Sequence, residues 1–143
     1  MDVAEYTERW RKVDTQFAIE ESLYNKRKDI LDKQKEQQQS GISNTGKPFI
    51  NKNTGTDEYS PGYAKKKGKK KPIDLFRTGS FQNEEFLDVR TDVIVFDSAD
   101  SKTDKLIKQF GEGIFGLSDE SKEEIAPVLQ EELIVQLNHQ VGK

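Results

Sequence analysis

The sequence predicts an α+β fold: a small antiparallel sheet packed by a long N-terminal helix, a short central helix and a C-terminal helix, with a long extended arm leading into the sheet. Three observations predict it. Residues 2–38 contain no Pro or Gly, and Val3, Tyr6, Trp10, Val13, Phe17, Tyr24 and Leu31 fall on a 3–4 repeat. Two adjacent short segments, 85–90 (EFLDVR) and 92–97 (DVIVFD), are rich in β-branched and aromatic residues. Near the C-terminus, Ile125, Leu129, Leu133, Leu137 and Val141 recur every four residues.

A chain of 143 residues suffices for one domain. We divide it into an N-terminal helix (1–40), a polar and lysine-rich arm (41–72), and the sheet with its C-terminal helices (73–143). Hydrophobic residues make up 32% and charged residues 34%, so part of the chain is expected to be extended, solvated or stabilised by a partner.

The N-terminal stripe is rich in aromatic side chains and must be covered, by the domain's own sheet or by a neighbouring subunit. Residues 32–40 (DKQKEQQQS) offer no apolar face and read as a solvated helix end or a fraying linker. Residues 41–62 are a loop by composition, rich in Gly, Asn, Thr and Ser. A stretch that long inside a compact domain suggests an arm, with Phe49, Ile50 and Tyr59 as anchoring points. The run 65–71 (KKKGKKK) repels itself, and Gly68 should break any helix there, so the lysines read as a solvated loop or as a sensor for polyanion.

The two strand candidates are joined by a tight link at Arg90, Thr91 and Asp92, which predicts an antiparallel hairpin. The unbroken run Val93, Ile94, Val95 and Phe96 suggests that the second strand is covered on both faces. Residues 101–110 read as a short helix ended by Gly111, followed by a glycine-rich turn (GEGIFGL). The last helix should start at Ser118, whose hydroxyl can accept from a free first-turn N–H, with Asp119 and Glu120 suited to the positive dipole end. Pro127 predicts a kink, or a helix that begins there.

Catalytic patterns are mostly absent. There are no cysteines, hence no thiolate zinc site, disulfide or cysteine nucleophile, and a single histidine, His139. Gly111-Glu112-Gly113 lacks the third glycine of a dinucleotide fingerprint, and GxxxxGK[ST], HExxH and GxSxG do not occur. Asp97, Asp100 and Asp104 cluster, as do Asp119, Glu120, Glu123 and Glu124, but charged helix caps explain these acids more simply than a metal site. The expectation is no enzyme, no metal and no cofactor. No run approaches the ~18 apolar residues of a membrane span, and the N-terminus lacks a secretory pattern, so no membrane partner is expected.

Charge is uneven along the chain. Residues 1–71 carry 16 Lys/Arg against 11 Asp/Glu, a net +5, and residues 72–143 carry 7 against 15, a net −8. Such polarity suits head-to-tail association of copies. Lys65, Lys66, Lys67, Lys69, Lys70 and Lys71, flanked by Tyr59 and Tyr63, are the candidates for contact with a subunit or with DNA.

At 59–80 the order is Ser60-Pro61, the lysine run, Pro72-Ile73-Asp74-Leu75 and Thr78-Gly79. Downstream come Gln109-Phe110-Gly111 and then Phe115-Gly116-Leu117-Ser118-Asp119-Glu120. This series resembles the tailed-bacteriophage virion morphogenesis and tail-completion proteins, with their "SP…K-rich…PLxxTG", "HQFG" and "PFLGLSDED" segments. Lys108 stands where the family often has His, and Phe76-Arg77 is an insertion. The resemblance covers about half the chain. It implies a structural subunit of a head–tail neck or tail-completion ring: a homo-oligomer that joins portal or connector to tail proteins, assembled in the bacterial cytoplasm and found in the virion, with non-specific contact to DNA in transit. The alternatives are a non-specific nucleic-acid-binding module acting through the lysines, and a metal-dependent hydrolase using Asp97, Asp100 and Asp104.

Overall fold

The computed structural model describes residues 2–76, 79–91 and 93–142. Its elements are α1 (Val3–Arg11), α2 (Thr15–Asn25), α3 (Arg27–Gln39), α4 (Pro61–Lys67), α5 (Ser80–Asn83), β1 (Glu85–Val89), β2 (Ile94–Ser98), α6 (Thr103–Phe110), a 3-10 turn (Glu112–Ile114) and α7 (Asp119–Gly142). β1 and β2 form the expected antiparallel hairpin, in the register Glu85↔Ser98, Leu87↔Phe96 and Val89↔Ile94. Helices pack around this small sheet, so the α+β class stands.

The N-terminal segment is three helices rather than one. The first break falls at Asp14, whose carboxylate accepts from Phe17 N at 2.9 Å and so caps α2. Gln140 of α7 holds the break from the other side, accepting from Asp14 N at 2.7 Å and donating to Asp14 O at 3.0 Å. The second break is at Lys26, between α2 and α3.

The aromatic stripe does not pack on the sheet. Val3, Tyr6, Trp10, Phe17 and Tyr24 are exposed. The buried line is Ala18, Ser22, Ile30 and Gln34, spaced by four or eight residues. Ala18 and Ser22 are small and Gln34 is polar, so Ile30 is the one bulky apolar side chain on this buried line.

α7 runs continuously from Asp119 through Pro127, so it does not begin at the proline. Ser118 caps it as expected: its Oγ accepts from Ser121 N at 3.2 Å. The inward side carries Ile125 and Val141, both buried, with Leu129, Leu133 and Leu137 half-buried between them. That side packs on α1, α2 and α3. In β2, Ile94, Val95 and Phe96 are only half-buried. The described sheet has two strands, so β2 lacks the cover on both faces that its apolar run suggested.

The apolar core lies elsewhere. Phe49, Tyr59, Ala64, Ile73, Leu75, Phe81, Phe110 and Ile114 form one buried cluster. It joins the arm to α5, α6 and the 3-10 turn. The arm is therefore folded: Ile42 bridges Pro48, Asn51 bridges Thr56, and α4 follows. Phe49 is buried, whereas Ile50 is exposed.

Candidate interaction site

α4 forms because Pro61 occupies the first turn, where a missing N–H costs nothing, and Gly68 ends it in the left-handed conformation. Lys65, Lys66 and Lys67 are therefore helical, which corrects the reading of the whole run as a loop: Gly68 terminates the helix after them. Behind α4 the chain returns antiparallel to its start, with Tyr59 N donating to Lys70 O at 2.8 Å.

This return brings Asp74 under Tyr59. The Tyr59 hydroxyl donates to Asp74 Oδ1 at 2.9 Å, and Asp74 N approaches the same hydroxyl oxygen at 3.1 Å. Lys67 Nζ lies 2.7 Å from Oδ1, and Lys69 Nζ lies 2.5 Å from Oδ2. Lys67 also sits over the Tyr59 and Tyr63 rings, 5.0 and 6.0 Å from their centroids. Burial alone would raise the Asp74 pKa. The two lysines, Phe76 N and Tyr59 outweigh it and hold the carboxyl at about 2. Burial, then the bond to Asp74, pushes the Tyr59 phenol well above its ordinary value. Lys67 and Lys69 are thus structural ion-pair partners and not free cations. Lys65, Lys66, Lys70 and Lys71 are exposed and make no ion pair among the described residues.

Asp74 also shapes the turn. Its Oδ1 accepts from Phe76 N at 3.1 Å, bridging Leu75, which has φ of 57°. A leucine in the left-handed region costs about 1–2 kcal/mol, and the carboxylate bridge offsets part of that. Gly79 has φ of 84°. A Cβ there would meet the Phe76 ring at 3.1 Å, so the position calls for glycine.

These elements enclose a cleft of about 390 Å³. Tyr59, Tyr63, Leu75, Phe81, Leu106 and Phe110 supply its apolar wall, and Asn53, Ser60, Gly79, Ser80, Gln109, Lys102 and Lys105 complete the lining. Tyr59 meets Tyr63 at 4.9 Å and Phe110 edge-on at 6.4 Å between ring centroids. Four of the motif residues, Ser60, Gly79, Gln109 and Phe110, together with the flanking Tyr59, thus come from three separate segments to one hollow.

The other described motif residues do not line it. Gly111 ends α6 with its N–H on Ile107 O at 2.7 Å and turns the chain at φ of 90°. Phe115 packs on Phe81 at 5.7 Å. Leu117 is half-buried, Pro61 and Pro72 are exposed, and Thr78 lies outside the described residues.

A buried polar ladder from α3 holds residues 114–118, which overturns the expectation of a solvated helix end at 32–40. Gln34 Oε1 accepts from Gly116 N at 2.7 Å, and Gln37 Nε2 donates to Gly116 O at 2.9 Å. Gln37 Oε1 accepts from Ser118 N at 2.8 Å, and Gln38 Nε2 donates to Ile114 O at 2.8 Å. Backbone groups in a buried turn need such partners, which apolar side chains cannot provide. Gln34 and Gln38 also donate to Glu85 Oε2, at 2.5 and 2.8 Å. Burial dominates at Glu85 and pushes its carboxyl up to about 7, against the lowering effects of Gln38, Lys35 and Gln34.

Sequence reasoning missed Gln34, Gln37, Gln38, Glu85, Lys102 and Lys105 as site residues. Strand alternation was the available signal for Glu85: it shares the face of Leu87 and Val89. The candidate acids do not converge. Asp100 Oδ1 accepts from Lys102 N at 2.7 Å at the start of α6. Among the described residues no group of three or more His, Cys, Asp or Glu is placed to hold a metal ion. No described helix is long and apolar enough to cross a membrane. No family model, curated protein or solved structure matches the chain.

Proposed function

We propose that the chain is a structural subunit of a bacteriophage head–tail neck or tail-completion ring, connecting portal or connector to tail during virion assembly. The observation that carries this reading is the convergence of the motif residues. Ser60, Gly79, Gln109 and Phe110 line one cleft with the flanking Tyr59, and Gly116 and Ser118 are held by glutamines of α3. An ordered series that resembles a family's, part of it gathered at one cleft, supports a common building plan. The site's groups bind, pair and pack: its buried acid is neutralised by two lysines, and its tyrosine holds its proton. A subunit whose task is to join neighbours needs shaped surfaces of this kind and no reacting group. Particles assembled without this chain, viewed by electron microscopy, test the proposal through the junction of head and tail.

A second reading rests on Lys65, Lys66, Lys70 and Lys71, which are exposed and unpaired among the described residues. They are free to neutralise phosphates, which makes the chain a non-specific nucleic-acid-binding module. It predicts retention on DNA that falls with salt and is lost when these four lysines become alanine. A wild-type protein that does not stay on DNA at low salt ends this reading.

A further inference from the structure

The cleft has an apolar wall and a cationic lip. Lys102 and Lys105 at that lip are exposed, and neither forms an ion pair among the described residues. Such a hollow fits an amphipathic surface that presents aliphatic side chains between carboxylates.

The chain carries a surface of that chemistry on α7. The inward side of this helix is buried on α1, α2 and α3. On its opposite side Glu120, Glu123, Pro127, Glu131, Ile134 and Val135 are all exposed, with Ile134 at 58% and Val135 at 53%, while Glu124 on the same side pairs with Lys33 of α3. At 3.6 residues per turn these six fall within roughly a third of the helix circumference. Glu120, Glu123 and Glu131 make no ion pair among the described residues. Two large exposed aliphatic side chains, flanked by these three acids, are complementary in chemical character and charge to the apolar wall and the two lysines of the cleft.

We infer that the outer face of α7 in one copy docks into the cleft of the next copy, with Ile134 and Val135 against the apolar wall and Glu123 and Glu131 near Lys102 and Lys105. The inference rests on the ring reading and gives its subunit contact. Donor and acceptor are different surfaces of one chain, so the joint is heterologous. Repetition of such a joint closes a ring when its rotation divides the circle.

Charge exchange tests the contact. One variant carries Lys102→Glu and Lys105→Glu, and the other carries Glu123→Lys and Glu131→Lys. Circular dichroism first establishes that both fold like the wild type. In sedimentation velocity at low salt, the wild type forms oligomers, and each variant alone loses them, with a self-association constant at least tenfold weaker. An equimolar mixture regains the oligomer, because each acidic lip then meets a basic helix. Oligomers that survive in both variants, or that are not regained on mixing, overturn the α7–cleft contact and leave the ring reading intact. A wild type that stays monomeric at all concentrations overturns the contact and the ring reading together.

Discussion

Two carboxyl groups occupy buried positions here with opposite outcomes. Asp74 is matched by Lys67, Lys69 and the Tyr59 hydroxyl, so its charge is stabilised. Glu85 has amide donors on Oε2 only, and Oε1 lacks a partner, as does Gln38 Oε1. A proton on Glu85 is therefore favoured. Its carboxyl ionises near 4.5 in the unfolded chain but near 7 in the fold. Between those values the folded state holds a proton that the unfolded state has lost. Stability from this group is complete at low pH, falls as pH climbs through that window, and is flat above it. Glu85→Gln keeps the shape and removes the charge, so it should flatten the decline and raise stability by on the order of 2 kcal/mol at about pH 8. Urea midpoints of both proteins at about pH 5 and about pH 8 measure this. A wild-type midpoint that does not fall across the interval contradicts the assignment.

Among the elements, the apolar patterns reported position well and partners poorly. The hairpin, α6 with its glycine end and the capped α7 were legible because period and punctuation act locally. The three-way split of the N-terminal segment was not, since Asp14 is held by Gln140 from the far end of the chain. The glutamine ladder was also hidden, because a run of polar residues resembles a solvated face until the backbone groups it serves are in place. Part of the cleft, namely Ser60, Gly79, Gln109 and Phe110, lies in the motif series, and Tyr59 and Tyr63 flank the lysine run. The cleft's lysine lip was not legible, because nothing in sequence distinguishes Lys102 and Lys105 from other surface cations. The seam between α3 and the arm gives a test at this scale. Gly41 ends the last turn with φ of 79°, and a Cβ there would lie 2.4 Å from the Pro72 Cβ. Both the conformation and the contact oppose a side chain. Gly41→Ala should cost about 2 kcal/mol or more, read as a lower urea midpoint with an unchanged slope. A stability within experimental error of wild type contradicts this packing.

At the scale of the whole molecule, much apolar and charged surface faces outward. Tyr6, Trp10, Phe17 and Tyr24 stand exposed along the N-terminal helices, Ile134 and Val135 along α7, and four lysines along the arm. A chain with 34% charged residues keeps a small core, and its remaining surfaces suit contact with neighbours. The ring-subunit proposal uses these surfaces as joints. Electron microscopy of particles made with the chain's reading frame interrupted tests it most directly. The account predicts filled heads and finished tails that remain separate, rejoined when the wild-type chain is supplied. Particles with normally attached tails in the chain's absence would contradict it.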